Sequence, residues 1–413
     1  MYDILIIGGG ISGLYNYVRL INSYKKVLLL EKNDYFGGRI YQYKDTILSE
    51  KYEFPAGAAR FNHNHKYVIS LLKEFDLLDF RRDKPMNAFI KFIDSKNKYK
   101  KMDNKNGFYY IDKIISESSK YSENKLKKYT FKEFSSFVLK KDELEYMLVA
   151  SGYSGQLKKM NAFDGIRLFS YGIRPDLKYW GGKFHLLVEK MVNHLKKLNA
   201  KMYMNSNVKD IFLDSNTGVH KVLYNNKIIY SKKIIFCIPK EGLLKINILK
   251  PIHNILSKSI TCKPLCRTYA IFKKEDVWFR DLKEKIVTNN HLRYIIPMNV
   301  EKGLIMISYT DDIYTKYWKK IEFNQMELKN KIVKLVKETF KIDINKPVKV
   351  IVCYWECGVA YWNKGVDSKK ISRGILNPLP NIFICGENYS LNQSWVEGAL
   401  DSCNNCIELM KKN

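Results

Sequence analysis

The first forty residues combine an apolar strand, a glycine turn, a helix and a second strand, an order that restricts the fold to an α/β type. The apolar run Tyr2–Ile7 breaks at the sequence GGGISG, residues 8–13, after which apolar residues recur at helical spacing. A second apolar run, Val27–Leu30, ends at an acid, Glu31. This arrangement predicts a parallel strand–helix–strand unit that binds a dinucleotide.

Each residue of the turn has a chemical reason to be there. Gly8 permits the tight turn, Gly10 lets the backbone approach a pyrophosphate, and Gly13 lets the helix pack closely on the strand. The start of the helix, at Ile11 and Ser12, offers free N–H groups and the positive end of a dipole to phosphates. The turn is therefore the predicted phosphate site.

Glu31 and the adjacent Lys32 stand at the tip of the second predicted strand, 18 residues after Gly13. A carboxylate at this point can accept hydrogen bonds from a ribose hydroxyl, and we assign both residues to the nucleotide site. The alternative interpretation is a glycine-rich turn in an ordinary α/β domain.

The length and composition suit a globular protein of two domains. The chain has 413 residues, 46% of them hydrophobic, and lacks any run of ~18 uncharged apolar residues that would span a membrane. Its N-terminus is already a predicted strand and so does not serve as a signal peptide. Apart from Cys403 and Cys406, which are separated by two residues, the eight cysteines show no metal-ligand spacing, and neither do His63 and His65. We therefore expect reduced thiols, no metal and a cytoplasmic location.

The formal net charge of +29 has two interpretations. Lysine outnumbers arginine and basic residues are spread along the chain, a bias that an AT-rich genome produces without a functional reason. The functional alternative is a basic surface that binds nucleic acid or another anionic partner. In either case a strongly positive protein attracts free polyamines poorly.

Two glycines and an arginine follow soon after Glu31, in the sequence Gly37-Gly38-Arg39. A nicotinamide site does not need them. Here the chain resembles the flavin-containing amine oxidase superfamily, which includes monoamine, polyamine and L-amino-acid oxidases. The resemblance implies that Gly38 and Arg39 lie near the pyrophosphate and flavin of FAD.

A segment of small residues, Gly57-Ala58-Ala59, is followed by Arg60. Small side chains allow the backbone to lie against a flat ring. The segment resembles the one that lines the flavin in L-amino-acid oxidases, where the arginine holds the substrate carboxylate. A guanidinium fits a carboxylate bidentately, so Arg60 is the candidate substrate anchor. The alternative is an arginine that pairs with a structural acid or with the cofactor.

Two further assignments in the middle of the chain rest on the same resemblance. Val208 matches the valine whose backbone contacts the adenine in the family. Monoamine and polyamine oxidases carry a lysine on a later strand, where it holds a water near flavin N5. The nearest match here is Arg267 or Thr268, and the missing lysine weakens an assignment as a simple monoamine oxidase.

The C-terminal part carries the second strong motif. An apolar run ends at Gly386-Glu387, and a helix is predicted to begin near Trp395 and Val396. In the superfamily the Gly-Glu pair contacts the ribityl–phosphate part of FAD. The later segment places a helix N-terminus at the flavin, where its dipole stabilises negative charge.

An aromatic cage around the substrate is only partly predicted. Trp395 falls where monoamine oxidases place one aromatic wall. The position matching the opposite wall holds Ile371, although Trp355 or Trp362 could fill the space. The candidate catalytic residues are therefore Arg60, Trp395 and Arg267.

The resemblance implies an α/β fold with two parts. One is a Rossmann-like FAD-binding domain of the GR2 type, assembled from the discontinuous segments 1–78, 181–257 and 349–413. The other is an α+β substrate-binding domain with an antiparallel sheet, formed by 79–180 and 258–348. The block 79–180 is predicted to be largely helical.

The implied reaction is transfer of hydride from a C–N carbon to flavin N5, with O2 reoxidising the flavin and giving H2O2. The small-molecule substrate predicted by Arg60 is an amino acid. The alternatives are a monoamine or polyamine oxidase, and a non-catalytic flavoprotein whose basic surface binds a partner or nucleic acid. The composition also resembles that of amine-oxidase-like proteins of large DNA viruses, which would place the protein in the host cytoplasm or the virion. The sequence predicts no oligomeric state.

Overall fold

Two large sheets and the helices around them form the computed structural model, which describes residues 1–86, 90–99, 102, 105–174 and 176–412. The strands, numbered in chain order, are β1 Tyr2–Ile7, β2 Val27–Leu30, β3 Gln42–Ile47, β4 Glu50–Pro55, β5 Arg60–Asn62, β6 Ile90–Ile93, β7 Tyr179–Gly181, β8 Lys201–Tyr203, β9 Val208–Asp214, β10 Val219–Tyr224, β11 Lys227–Phe236, β12 Ile260–Ile271, β13 Lys285–Thr288, β14 Tyr294–Asn299, β15 Leu304–Asp311, β16 Lys349–Trp362 and β17 Ile382–Ile384. The α-helices are α1 Ile11–Leu20, α2 Lys66–Glu74, α3 Gly107–Ser118, α4 Glu123–Lys127, α5 Phe131–Val138, α6 Lys141–Ala150, α7 Gly155–Lys159, α8 Ala162–Tyr171, α9 Phe184–Lys197, α10 Lys240–Leu243, α11 His253–Ser259, α12 Thr315–Lys319, α13 Gln325–Phe340, α14 Ser368–Gly374 and α15 Val396–Lys412.

The first sheet has β1 near its centre. Its described strands run in the order β8–β2–β1–β11–β10–β9, and β17 also pairs with β11. The five strands β8, β2, β1, β11 and β17 are parallel, whereas β9 and β10 pair antiparallel. Three distant stretches of chain supply these strands, so the prediction of an α/β fold built from discontinuous segments is confirmed.

Both faces of β1 are apolar because helices cover the sheet on both sides. Ile4 and Ile6 pack in one cluster with α1, α9 and α15, while Leu5 and Ile7 pack in another with α10 and α11. Burying each such side chain stabilises the fold by about 1.5–3 kcal/mol. With both faces covered, the carboxyl ends of the parallel strands are the part of the sheet left for a ligand.

The second sheet has the order β16–β12–β15–β14–β13–β6 among the described strands and is antiparallel except for the pair β13 and β6. Helices α12 and α13 pack on one face of it. Strand β16 pairs with β12 along its length, although the division by sequence places 349–413 with the first sheet. We therefore propose to keep that division but to move this boundary to residue 363, after β16.

The block 79–180 contains helices α3 to α8, as predicted. Their starts carry ordinary caps: the Thr130 hydroxyl accepts from the Glu133 N–H, and the Glu133 carboxylate accepts from the Thr130 N–H. The stretch 94–106, whose charged and lysine-rich sequence predicts a hairpin or a surface loop, lies partly outside the described residues. The helices share a core with Tyr294 on β14, so they cover one side of the second sheet.

The cysteines correct one prediction. Cys262 on β12 and Cys357 on β16 form a disulfide, so the expectation that all thiols are reduced is wrong for this pair. Six other cysteines are free. None of the described helices is both long enough and apolar enough to cross a membrane. The cytoplasmic, host-cytoplasmic or virion location stays a prediction.

Candidate active site

A cavity of about 860 Å³ is lined both by the glycine turn after β1 and by the second sheet. This volume is typical of sites for cofactors and their substrates. Among the residues assigned to the site by sequence, those that line the cavity are Gly8, Gly10, Ile11, Ser12, Glu31, Lys32, Gly38, Arg39, Gly57, Ala58, Ala59, Arg60, Val208, Arg267, Gly386, Glu387, Trp395 and Val396. Gly13 is the exception, because it packs beneath the turn.

The glycine turn leaves space at one position and none at another. A methyl group at Gly13 would lie 1.8 Å from the carbonyl oxygen of Gly8, so only glycine permits this contact between helix and strand. A methyl group at Gly10 would have no protein atom closer than 4.0 Å and would stand in the cavity instead. The turn therefore has the open cradle that a pyrophosphate requires.

The Glu31 carboxylate is buried at the tip of β2. Its Oε2 accepts a hydrogen bond of 2.6 Å from the Gly9 N–H, and its Oε1 accepts one of 2.8 Å from the Asn33 N–H. A carboxylate has about four acceptor positions, so two remain for hydroxyl groups of a ligand in the cavity. This geometry fits the predicted contact with a ribose.

Arg39 joins the two terminal motifs of the chain. Its Nη1 lies 2.9 Å from Oε2 of Glu387, whose side chain is 6% exposed. Oε1 of Glu387 also accepts from the Ser394 N–H at 2.6 Å. The Asn388 amide also donates to Oε2 of Glu387, at 2.9 Å. The buried acid thus has three donors, and its ion pair with Arg39 fixes the GGR turn against the start of the C-terminal helix.

Arg60 lies at the other end of the cavity, in an aromatic setting. Its Nη2 lies 3.3 Å from the Tyr153 hydroxyl, and its guanidinium carbon lies 5.2 Å from the Tyr179 ring centre and 5.9 Å from that of Trp395. Within the described parts of the chain, no acidic group lies in salt-bridge range of it. Burial lowers the pKa of the guanidinium, but the surrounding tyrosine hydroxyls raise it by more, so Arg60 is charged at neutral pH.

One face of the second sheet forms the wall beside Arg60. Arg267 on β12 and Tyr309 on β15 are paired across the strands, and the guanidinium carbon lies 5.3 Å from the tyrosine ring centre. Leu265 pairs in the same way with Asp311 and with Trp355. Alternate residues of a strand share a face, so these five side chains line the cavity together.

The sequence analysis missed Tyr309 and Asp311 because strand register is not visible in it. Asp311 accepts hydrogen bonds from the backbone N–H groups of Ser154 and Gly155, and burial raises its pKa. Burial also raises the pKa of Tyr309 to about 12, so its hydroxyl is neutral. Thr268, the alternative to Arg267, is buried and does not line the cavity.

Trp395 separates the main cavity from a second one of about 390 Å³, which His63 and His65 also line. Its ring stacks on Tyr179 at 6.3 Å, and its indole N–H is buried without a hydrogen-bond partner among the described residues. Ile371, at the position matching the opposite wall, lies on α14 and packs in the core beneath the first sheet. Of the two tryptophans that could fill the space, Trp355 lines the cavity and Trp362 does not.

The residues around the cavity fit a flavin nucleotide: an open cradle at Gly10 for phosphates, a buried acid at Glu31 for a ribose, and the small residues Gly57 and Ala58 in the lining. A family model for flavin containing amine oxidoreductases matches residues 11–406. The chain belongs to this family. A flavin is accordingly the cofactor that this amine oxidoreductase family member uses.

Several proteins are similar to this amine oxidoreductase. An uncharacterized protein of Acanthamoeba polyphaga mimivirus is 24% identical over 98% of this chain and 93% of its own length. A Bacillus subtilis protein provisionally named an L-amino-acid oxidase is 34% identical over 21% of this chain and 16% of its own. A putrescine oxidase solved with bound putrescine has a TM-score of 0.75 at 15% identity, covering 99% of both chains. This last likeness shows the fold alone.

Lys285 on β13 is a buried cation near the site that the sequence did not indicate. Burial, together with the charge of Arg60, lowers its pKa from 10.5 to about 8. Between those two pH values the unfolded chain keeps a proton that the folded chain has lost, so stability rises with pH in that window. At pH 7 the charged lysine costs up to about 3 kcal/mol.

We therefore expect Lys285→Met to raise the free energy of unfolding at pH 7 and to remove the rise between about pH 8 and 10.5. Urea unfolding across that range measures both effects. Lys320→Met, at an exposed position, is the matched control and should change neither. If the free energy of unfolding of Lys285→Met still rose between about pH 8 and 10.5 as it does in the parent, the expectation would be contradicted.

Proposed function

We propose that the protein is an FAD-dependent oxidase of an L-amino acid, with Arg60 binding the substrate carboxylate. One observation carries the proposal: a charged guanidinium stands in the flavin cavity with a tyrosine hydroxyl and aromatic rings around it, but with no acid in salt-bridge range in the described chain. Arg60 is half-buried. A charge held largely out of water without a counter-ion is costly, and an anionic ligand lowers that cost.

The surroundings of Arg60 favour an anion over a second cation. Lys285 adds a further buried positive charge nearby, and Arg267 lines the same wall with a buried Nε–H that has no partner among the described residues. A carboxylate can accept both outer N–H groups of a guanidinium in one plane. The partial similarity to the B. subtilis protein named an L-amino-acid oxidase supports the same substrate class.

The residues of this chain then act by binding, orientation and exclusion of water. Arg60 fixes the carboxylate, and the Tyr153 and Trp395 side chains, which also line the cavity, restrict the amino acid to one orientation over the small residues at Ala58 and Ala59. When bound, FAD would supply the redox chemistry for oxidation of the C–N carbon, with O2 as the final electron acceptor and H2O2 as the product. The α15 N-terminus at Val396 lines the cavity and stabilises negative charge there.

A substrate panel tests the proposal. The purified protein should be yellow, and it should release H2O2 with at least one L-amino acid but not with the matching D-amino acid or decarboxylated amine. Turnover of amines alone would contradict the role of Arg60. Bound flavin without turnover on any substrate would favour a non-catalytic flavoprotein, and the anionic partner predicted from the charge of +29 would then be sought by salt-dependent binding to DNA or heparin.

Oxidation of an amine is the second candidate, and Asp311 is the observation that favours it. Asp311 lines the cavity, as does Glu356 on β16 of the same sheet. Both oxygens of Asp311, however, already accept backbone N–H groups from the start of α7. Diamines belong in the panel because the structurally similar putrescine oxidase was solved with putrescine bound.

A further inference from the structure

Three of the free cysteines, Cys237, Cys385 and Cys403, surround a buried asparagine behind the wall of the flavin cavity. A fourth, Cys406, adjoins Cys385. The Asn16 amide nitrogen lies 3.1 Å from the Cys385 sulfur, 3.2 Å from that of Cys403 and 3.6 Å from that of Cys237. The Asn16 amide oxygen is buried with no partner in the described structure. The amide is therefore oriented toward the sulfur atoms.

Cys385 is at the centre of this group. Its sulfur lies 3.6 Å from the sulfur of Cys237 and 3.6 Å from that of Cys403. Hydrogen bonds from the neighbouring thiols and from Asn16 lower the pKa of Cys385 well below the ordinary value for a cysteine. Burial instead raises the pKa of the remaining free thiols, Cys266 and Cys353, to about 12. Cys385 is thus the thiol best able to ionise.

The backbone brings Cys237 and Cys385 to a distance that a disulfide can span. They directly follow β11 and β17, parallel neighbours in which Phe236 pairs with Ile384. The Cys385 N–H donates to the Phe236 carbonyl at 3.0 Å, which continues the ladder. Adjacent strands are about 4.8 Å apart, and disulfides join α-carbons about 4.4–6.8 Å apart. Both residues also line the flavin cavity, whereas Cys403 lies on α15 and is fully buried.

We propose that Cys385 and Cys237 form a peroxide-reactive pair in the wall of the flavin cavity, with hydrogen peroxide or a small organic hydroperoxide as the oxidant. The Cys385 thiolate attacks one peroxide oxygen, the O–O bond breaks, and the departing oxygen takes a proton and leaves as water, or as an alcohol from a hydroperoxide. The resulting sulfenic acid is attacked by the Cys237 sulfur, so that an S–S bond forms, the S–O bond breaks and a water leaves. Overall, two thiols lose two electrons and two protons, and one hydrogen peroxide becomes two waters.

Peptide mapping after exposure to peroxide tests the pair directly. The flavin-loaded protein is treated with dilute H2O2, free thiols are alkylated, and the digest is analysed by mass spectrometry. We expect a cross-linked Cys237–Cys385 peptide that is lighter by two hydrogens than its two reduced parts, while Cys266 and Cys353 stay alkylatable. The existing Cys262–Cys357 disulfide serves as an internal reference, present before and after treatment.

Two variants keep the test decisive if folding is affected. In Cys237→Ala the cross-link is lost and Cys385 is captured by dimedone as a sulfenic acid, whereas Cys353→Ser forms the cross-link as the parent does. A Cys385–Cys403 bond in the parent, or no dimedone adduct in Cys237→Ala, would overturn the assignment. Because the peroxide is added from outside, failure of this test and failure of the proposed oxidase activity are distinguishable.

Discussion

Replacement of Arg60 by alanine is expected to lower kcat/KM for the amino-acid substrate by about 100-fold or more. Hydrogen bonds to charged groups contribute about 1.5–3 kcal/mol each, and two are lost when the guanidinium is removed. Every 1.4 kcal/mol is about tenfold in kcat/KM. Most of the loss should fall on KM, because the carboxylate contact is the same in the ground state and the transition state.

The decarboxylated amine provides the control within the same variant. It lacks the carboxylate, so its kcat/KM should change little or improve when the positive charge of Arg60 is removed. Arg60→Lys keeps the charge but not the planar fork, and it should recover only part of the activity. Steady-state peroxide release measures kcat/KM for the amino acid and for the amine in the parent and in both variants. The flavin absorbance confirms that each variant is folded. If kcat/KM fell equally for the amino acid and for the amine, Arg60 would not be the residue that binds the carboxylate.

Two substitutions in the glycine turn should separate folding from cofactor binding. Gly13→Ala puts a methyl group 1.8 Å from the Gly8 carbonyl oxygen, so we expect loss of the folded, yellow protein. Clashes of this kind cost roughly 4–5 kcal/mol or more. Gly10→Ala meets no protein atom closer than 4.0 Å, so the apoprotein should keep its thermal stability and yet lose most of its flavin.

Gly374→Ala is the matched control for both, because its methyl group would stand in open space at the end of α14. Thermal unfolding of the apoprotein and the flavin content after purification are the two measurements. Gly10→Ala that retains stoichiometric flavin would show that the cradle does not hold the phosphates. A stable, yellow Gly13→Ala would contradict the packing described for the turn.

The cofactor half of the site could be predicted because its signals are short and local. The glycine turn, Glu31, the GGR sequence and Gly386-Glu387 each carry their chemistry within a few residues, and all of them reach one cavity apart from Gly13. Local conformation and phosphate chemistry both require these residues, so the pattern is visible in the order of the amino acids alone.

The substrate half could not be predicted in the same way, because it depends on strand register. Arg267 is aligned with Tyr309 by the pairing of β12 and β15. The sequence of neither segment indicates which strand it pairs with. The disulfide is a similar case: Cys262 and Cys357 are 95 residues apart and become neighbours only when β12 pairs with β16. Lys285 was overlooked because a lysine is rarely buried without a partner.

The bond between Arg39 and Glu387 has a consequence for biosynthesis. The two residues are separated by 348 positions, and β17, which precedes Glu387, takes its place beside β11 in the first sheet. A ribosome therefore releases the GGR turn long before the Gly-Glu pair. The nascent chain cannot complete the phosphate end of the cavity until Glu387 has been synthesised. We expect flavin capture to follow the synthesis of this pair, and removal of α15 to give a protein that never acquires the cofactor.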